Sequence, residues 1–385
     1  MAASIEPVPV PVQIKTMTNP LIWWNSLGRP LARLPRWGAL AVLALLAALM
    51  AWSAVAVAPV GEAEAARVEA KADHRADRSQ GDLALYSRIS ERVIAGEPYY
   101  AVAMEEQRAG NYPTRPFVTV RLPTLAWLHR AIGVDGVRML GAVLLLGAIL
   151  MLHQKLPGTM PMAERLGALV LLALGGAALA VPQAGLIHEL LAGLLLTLAF
   201  VMYSPERWWP SLLAAGLAIA VRELAVAFVL LWLAFAVMEK RWREVAALTA
   251  VLAVLAAMMG LHYHYVEMRR ALGDPASQGW DAMAGLALPL MALSRLTPLL
   301  VLPVALAAPL AILPFVGWLG LGGRVGLFAA LWFAGFFAAM ALFARPENFY
   351  WVQLTLPAYV AGLAFAPRAL GELAGKAYRA KERQP

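Results

Sequence analysis

Residues Trp208 to Met238 read WWPSLLAAGLAIAVRELAVAFVLLWLAFAVM, an apolar run interrupted at its centre by Arg222 and Glu223. The run is either one over-long helix or two short ones. Flanking charge separates the two, because short cytoplasmic loops hold an excess of Lys and Arg. Arg207 precedes the run and Lys240, Arg241 and Arg243 follow it, so both of its ends belong on the cytoplasmic side. The expectation is a hairpin. Its first arm, about twelve residues at 1.5 Å rise, covers only ~18 Å of a ~30 Å hydrocarbon core, which sets Arg222 in a recess below the outer surface. A single helix would reverse every later connection and put the basic tail, Arg368 to Arg383, outside.

The rest of the composition agrees with a membrane setting. Of 385 residues 61% are hydrophobic and 15% charged, against about 45–50% and about 25% in a soluble domain. There is room for about ten segments of ~20 residues and for little else. The expected fold is an all-α integral membrane protein of about ten transmembrane helices, with amphipathic surface helices in a large first outer loop. Expected spans are Trp37 to Val60, Val134 to Leu152, Met162 to Val181, Leu186 to Tyr203, the two arms Trp208 to Ala220 and Leu224 to Met238, Val245 to His262, Thr297 to Gly317, Val325 to Phe343, and Trp351 to Phe365. This gives a cytoplasmic interfacial tail (1–36), one membrane domain (37–366) with a periplasmic loop (61–133), and a basic cytoplasmic tail (367–385). Between Glu62 and Arg78, alternating Ala, Glu, Lys and Arg favour a solvated helix. Absent cysteines remove disulfides and thiolate metal sites. The net charge of +8 fits basic loops and anionic membrane lipid, not nucleic acid, since no basic block with interleaved aromatics occurs.

With the hairpin in place, the outer connections carry His188, Glu189, Arg222, Glu223, His262, His264, Arg345, Glu347 and Asn348. They share a side with the longest polar stretch, GDLALYSRISERVIAGEPYYAVAMEEQRAGNYPTRPFVTVRL, Gly81 to Leu122. Ionisable groups in hydrocarbon cost about 2.5–3.5 kcal/mol each on insertion scales, so several on one face imply a polar cavity. Within the stretch Asp82 sits where a helix N-cap sits, Tyr86, Ile89 and Val93 form an apolar face, and Gly96 and Pro98 end the helix. The inner connections hold ordinary flanking charges such as Lys155, Glu164 and Arg165.

Asp82, Tyr86 and Gly96-Glu97-Pro98-Tyr99 together resemble the D…Y…G-x-P-Y pattern of the GT-C superfamily of polyprenyl-phosphate-sugar-dependent glycosyltransferases, and most of all its bacterial polyprenol-dependent mannosyltransferase branch. The resemblance implies a multi-pass protein of the bacterial inner membrane with both termini cytoplasmic and the active site on the periplasmic face. It implies Asp82 as the catalytic base. It further implies a polyprenyl-phosphate-sugar donor, a lipid-linked or glycan acceptor, and a donor and acceptor site drawn from Tyr86, Tyr99, Arg115, Arg121, His188, Glu189, Arg222, Glu223, Arg345, Glu347 and Asn348. A single Asp stands where many relatives have a pair, so no metal or other cofactor is expected.

Simpler roles compete at each position. Asp82 serves as a plain N-cap, His188-Glu189 as helix-start compensation, Arg222-Glu223 as a helix break, and Arg345 to Asn348 as a turn. His262 and His264 lack a third ligand for zinc and read as interfacial. Arg88 and Arg92 read as partners of head groups or acidic loop residues, and Trp127, Trp208, Trp209, Trp242, Trp280 and Trp351 as membrane-interface belt residues. A transporter or flippase would also bury Arg, Glu and His, although the polar groups read as gathered on one face and no repeat is visible. A non-catalytic partner in envelope polysaccharide assembly is the third alternative.

Overall fold

The computed structural model describes residues 19–73 and 81–378. The start of the interfacial tail, the end of the solvated Glu62 to Arg78 stretch and the last basic residues lie outside it. Every described element is a helix or a 3₁₀ turn, apart from one isolated bridge between Arg115 and Ala276. Two short helices, α1 (Pro20–Leu27) and α2 (Pro30–Arg33), precede α3 (Arg36–Asp73). The loop helices α4 (Asp82–Ile94) and α5 (Tyr99–Ala109) follow, then α6 (Thr124–Lys155), α7 (Met162–Gly175), α8 (His188–Met202), α9 (Trp209–Val221), α10 (Val226–Met238) and α11 (Trp242–Glu267). The chain ends with α12 (Ala287–Leu296), α13 (Val304–Leu310), α14 (Leu313–Leu321), α15 (Gly323–Phe343), α16 (Leu356–Ala361) and α17 (Ala366–Tyr378).

Among the described residues five helical stretches are long and apolar enough to cross a membrane, or six if the pair Pro346–Leu354 and Leu356–Tyr378, bent by 68°, is one span. The segment expected at Thr297 to Gly317 is one of the five but starts later, at Val304, and runs through α13 and α14 to Leu321; before it Pro298–Val301 forms a 3₁₀ turn, and Pro298 and Pro303 each lack a backbone donor. Other expected spans are shorter or broken, for local reasons. The expected span Met162 to Val181 leaves α-geometry at Gly175-Gly176 and continues as 3₁₀. The first span is bounded about where expected, Arg36–Glu62, while its helix α3 continues unbroken through Pro59 to Asp73. Gly133, at φ +74°, divides α6 into a short loop helix and a long span starting where one is expected, at Val134.

Trp208 to Met238 is two helices, not one. Arg222 is extended (φ −147°, ψ 110°) and Glu223–Ala225 is a 3₁₀ turn between α9 and α10. The far ends of the two arms meet, since Arg241 after α10 donates to the carbonyl oxygen of Pro205 before α9. The same end of the bundle, here the basal end, collects α1, α2 and α17: Asn19 donates to Met238 O, Trp24 to Gly323 O, and Arg368 pairs with Glu164. The turn at Arg222 therefore lies at the opposite, apical end, with the loop helices α4 and α5.

The core between the ends is aromatic. Trp332 lies 4.8 Å from both Phe228 and Phe333, ring centre to ring centre, and Phe333 lies 5.1 Å from Tyr359, separations at which offset and edge-on pairs attract. Two polar ring atoms of this core are satisfied, Tyr359 OH donating to Ala311 O and Trp318 Nε1 to Ala358 O. Helix α8 is buried on nearly all sides. Gly193 lets it touch the 3₁₀ segment Pro346–Leu354, because a Cβ there would fall 2.0 Å from the carbonyl oxygen of Gln353. That close approach sets Tyr350 and Trp351 over the end of the hairpin.

Candidate active site at the apical cavity

The first wall is α4. Its apolar face, Leu85, Ile89 and Val93, is buried against Tyr99, Val102 and Met104 of α5, which fixes the roll of the helix and leaves Asp82 and Tyr86 on the cavity side. Gly81 is the N-cap and makes no side-chain cap bond; Asp82 is the first helical residue. The capping role expected for Asp82 is thus displaced by one position. A carboxylate in the first turn still interacts favourably with the helix dipole, and the Asp82 charge is close enough to act on the phenols of Tyr86 and Tyr350. Burial pushes the Tyr86 phenol above its usual range, which keeps it neutral and able to donate.

Arg121 is the hub of the second wall. Its Nε donates to Tyr86 OH at 3.0 Å and its Nη2 to Tyr350 OH at 3.3 Å, and it stands 3.7 Å from Glu189. Tyr99 OH holds its backbone by donating to the Arg121 carbonyl at 2.6 Å. Arg222, 2% exposed, donates to Glu189 at 2.6 Å, pairs with Glu223, and lies 5.8 Å from the Trp351 ring centre. Arg345 closes the rim: it donates to Gly279 O at 2.8 Å and to the Gln278 side chain, both neutral acceptors, so its charge is not cancelled there. Asn348 accepts from the Arg345 amide and donates to Tyr350 OH.

These groups border a cavity of about 880 Å³. Asp82, Tyr86, Arg121, Arg222, Glu223, Arg345, Glu347 and Asn348 line it, together with the apolar side chains of Leu224 in the 3₁₀ turn, Val226 at the start of α10, and Phe336, Met340 and Phe343 of α15. Four expected residues do not line it. Glu189 and His188 stand behind the wall, Glu189 as the counter-charge of Arg222 and His188 edge-on to Tyr86 at 5.0 Å. Tyr99 supports the Arg121 backbone from within the α4–α5 core. Arg115 instead ties two loops together through Asp274 O.

Sequence reading missed Tyr350 and misassigned two tryptophans. Trp351 is 9% exposed beneath Arg222, and Trp280 lines the cavity, so neither belongs to a belt. Trp127, Trp209 and Trp242 are exposed, as belt residues are. The available signal for Tyr350 and Trp351 was their place three and four residues after Glu347. His262 is not interfacial: it is buried, bonded to Val120 O at 3.0 Å and Tyr100 OH at 3.1 Å. Arg88 and Arg92 meet acidic loop residues, Glu106 for both and Glu97 and Glu105 for Arg92. Among the described residues no three His, Asp or Glu side chains gather closely enough to hold a metal ion.

The basal end is also richer than ordinary flanking charge. Glu244, 1% exposed, accepts from Trp232 Nε1 at 2.9 Å, Tyr203 OH at 3.2 Å and Arg241. Arg324 lies 4.2 Å over the Tyr203 ring and pairs with Glu239. The expectation of polar groups on one face alone therefore fails, because a position two residues into α11 is turned by its helix into the core.

Comparison of the chain with protein-family models, with curated proteins and with solved structures finds no match.

Proposed function

We propose that the protein is a membrane glycosyltransferase of GT-C type, moving a sugar from a polyprenyl phosphate to a lipid-linked or glycan acceptor. The observation that carries the reading is the apical cavity, in which three carboxylates, three guanidinium groups and an apolar flank border one space. The five or six helices long enough to cross a membrane, with the shorter apolar helices His188–Met202, Trp209–Val221, Glu223–Met238 and Ala287–Leu296, support a multi-pass protein, which we read as about ten crossings of a bacterial inner membrane with the active face toward the periplasm.

In this reading Asp82 takes the proton of the acceptor hydroxyl as the oxygen attacks the anomeric carbon. The bond from that carbon to the phosphate oxygen breaks with its electron pair on the phosphate, and the anomeric configuration inverts. Arg121, Arg222 and Arg345 are the candidates to absorb the developing charge, since a planar guanidinium binds phosphate bidentately and stays ionised. The lipid chain would leave along the flank of Phe336, Met340 and Phe343. Purified protein assayed against a panel of polyprenyl-phosphate sugars tests this directly: release of lipid phosphate with transfer supports it, and no release with any donor contradicts it.

The buried Glu244 cluster supports one other reading, a transporter with polar sites at both ends. Flux of a lipid-linked or anionic substrate across proteoliposomes, with no transfer, would favour it.

A further inference from the structure

Arg121 turns its hydrogen-bonding fork to two phenols. Its Nε donates to Tyr86 OH at 3.0 Å and its Nη2 to Tyr350 OH at 3.3 Å. Nε and Nη2 form the edge with which a guanidinium holds a carboxylate or phosphate bidentately. Here that edge is spent on neutral oxygens. Glu189 stands 3.7 Å from Nη2 but takes its short bond, 2.6 Å, from Arg222.

A phenol oxygen has two lone pairs to accept with and one proton to give. At Tyr350 both lone pairs are used, by Arg121 and by Asn348 Nδ2 at 3.5 Å. The Asn348 amide is oriented for this because its Oδ1 accepts from the Arg345 amide. The Tyr350 proton therefore leaves the oxygen in a direction that neither donor occupies. Tyr86 likewise accepts from Arg121 and, held neutral by burial, keeps its own proton to give. Both tyrosines border the cavity. Accepting from a cation makes each phenol a stronger donor, because hydrogen bonds in a chain polarise one another. Donors fixed in advance meet an anion without reorganising.

We propose that Tyr86 and Tyr350 are the groups that touch an anionic oxygen of the ligand, each donating its phenol proton, and that Arg121 is a positioning residue acting through them. The inference rests on the cavity receiving a phosphate, and the test separates the two. Full-length protein in nanodiscs is titrated at neutral pH with farnesyl phosphate, farnesoate and uncharged farnesol. The wild type is compared with Tyr350→Phe, Tyr86→Phe, Arg121→Lys and protein with Tyr350 replaced by meta-fluorotyrosine, whose phenol is a stronger donor and a weaker acceptor. Each Phe variant should weaken farnesyl phosphate by about tenfold, the loss of one charge-assisted hydrogen bond, and leave farnesol within about twofold. Arg121→Lys, which keeps the charge and loses the fork, should weaken it at least as much. Fluorination should tighten it by about twofold, in the direction of a stronger donor.

A phenol that only props Arg121 gives the opposite sign, because fluorination loosens its hold on the guanidinium. Weaker or unchanged binding on fluorination, or wild-type binding by the Phe variants, overturns the phenol contacts and leaves the cavity reading standing. Wild-type binding by Arg121→Lys overturns the positioning role. If farnesoate outbinds farnesol with this same response while farnesyl phosphate does not, the phosphate reading alone fails. If neither anion outbinds farnesol, both fail.

Discussion

Glu189 accepts a hydrogen bond from Arg222 at 2.6 Å, and the two side chains are 4% and 2% exposed. Breaking a buried ion pair from one side leaves an uncompensated charge and costs about 3–5 kcal/mol. Glu189→Ala should therefore destabilise by about 3 kcal/mol, the low end because Glu223 still meets Arg222. Replacing both partners, Glu189→Leu with Arg222→Met, should recover most of that loss while removing the charge from the cavity. Thermal unfolding in detergent checks both.

The three arginines of the apical end differ from those of the loop surface. Arg222 and Arg345 line the cavity, whereas Arg88 is engaged with Glu106 on the α4–α5 surface. Loss of a positioned donor to a developing anion typically costs on the order of a hundredfold or more in rate. Arg222→Ala and Arg345→Ala should each lose about that much turnover, and Arg88→Ala only a few-fold. Equal losses for all three in a steady-state transfer assay would reduce the effect to surface electrostatics.

Residues 274–279 are anchored through the Asp274 carboxylate on Arg108, and that anchor should respond to pH. The Arg108 hydrogen bond holds the Asp274 carboxyl at about 2, below its ordinary 3.8. Because the folded value is the lower one, the anchor's stabilisation is complete above the ordinary value and disappears as the pH falls through about 2. Hydrogen-exchange protection factors of residues 268–286, with the pH dependence of intrinsic exchange divided out, should be high at pH 5 and fall toward pH 2.5. Asp274→Asn should show lower protection at pH 5 and little further change between the two pH values.

The arrangement of the two ends makes a topological prediction. Lys240 follows α10 beside the basal Met238, and Gly273 precedes the apical segment 274–279. A reporter fused after Lys240 should read cytoplasmic and one after Gly273 periplasmic. The reverse pattern would place the cavity on the wrong face for a periplasmic donor.

Much of this was legible in the sequence because charge inside an apolar run is expensive. Arg222-Glu223 marks the break between α9 and α10 for that reason, and the basic residues beyond each arm bring the ends together. Asp82 and Tyr86 share the cavity side because Leu85, Ile89 and Val93 consume the other face of α4. What periodicity does not carry is long-range packing. Glu189 reads as helix-start compensation, and only the seating of α8 beneath α9 makes it the counter-charge of Arg222. Trp351 and Trp280 read as belt residues because an aromatic near a span end looks the same whether it meets lipid head groups or the wall of a cavity. Prolines shift a boundary that composition does not mark: the span expected from Thr297 starts only at Val304, after Pro298 and Pro303.

The central claim is that Asp82 acts as a base, and one substitution isolates it. Asn keeps the size and polarity of the side chain in the first turn of α4, but it cannot take the acceptor's proton. General-base help is typically worth on the order of a hundred- to ten-thousand-fold in rate. Transfer from a polyprenyl-phosphate sugar should therefore fall by at least about a hundredfold in Asp82→Asn, with the melting temperature and donor binding near wild type. Transfer above about a tenth of the wild-type rate would contradict the account and move the search for the base to Glu223 and Glu347.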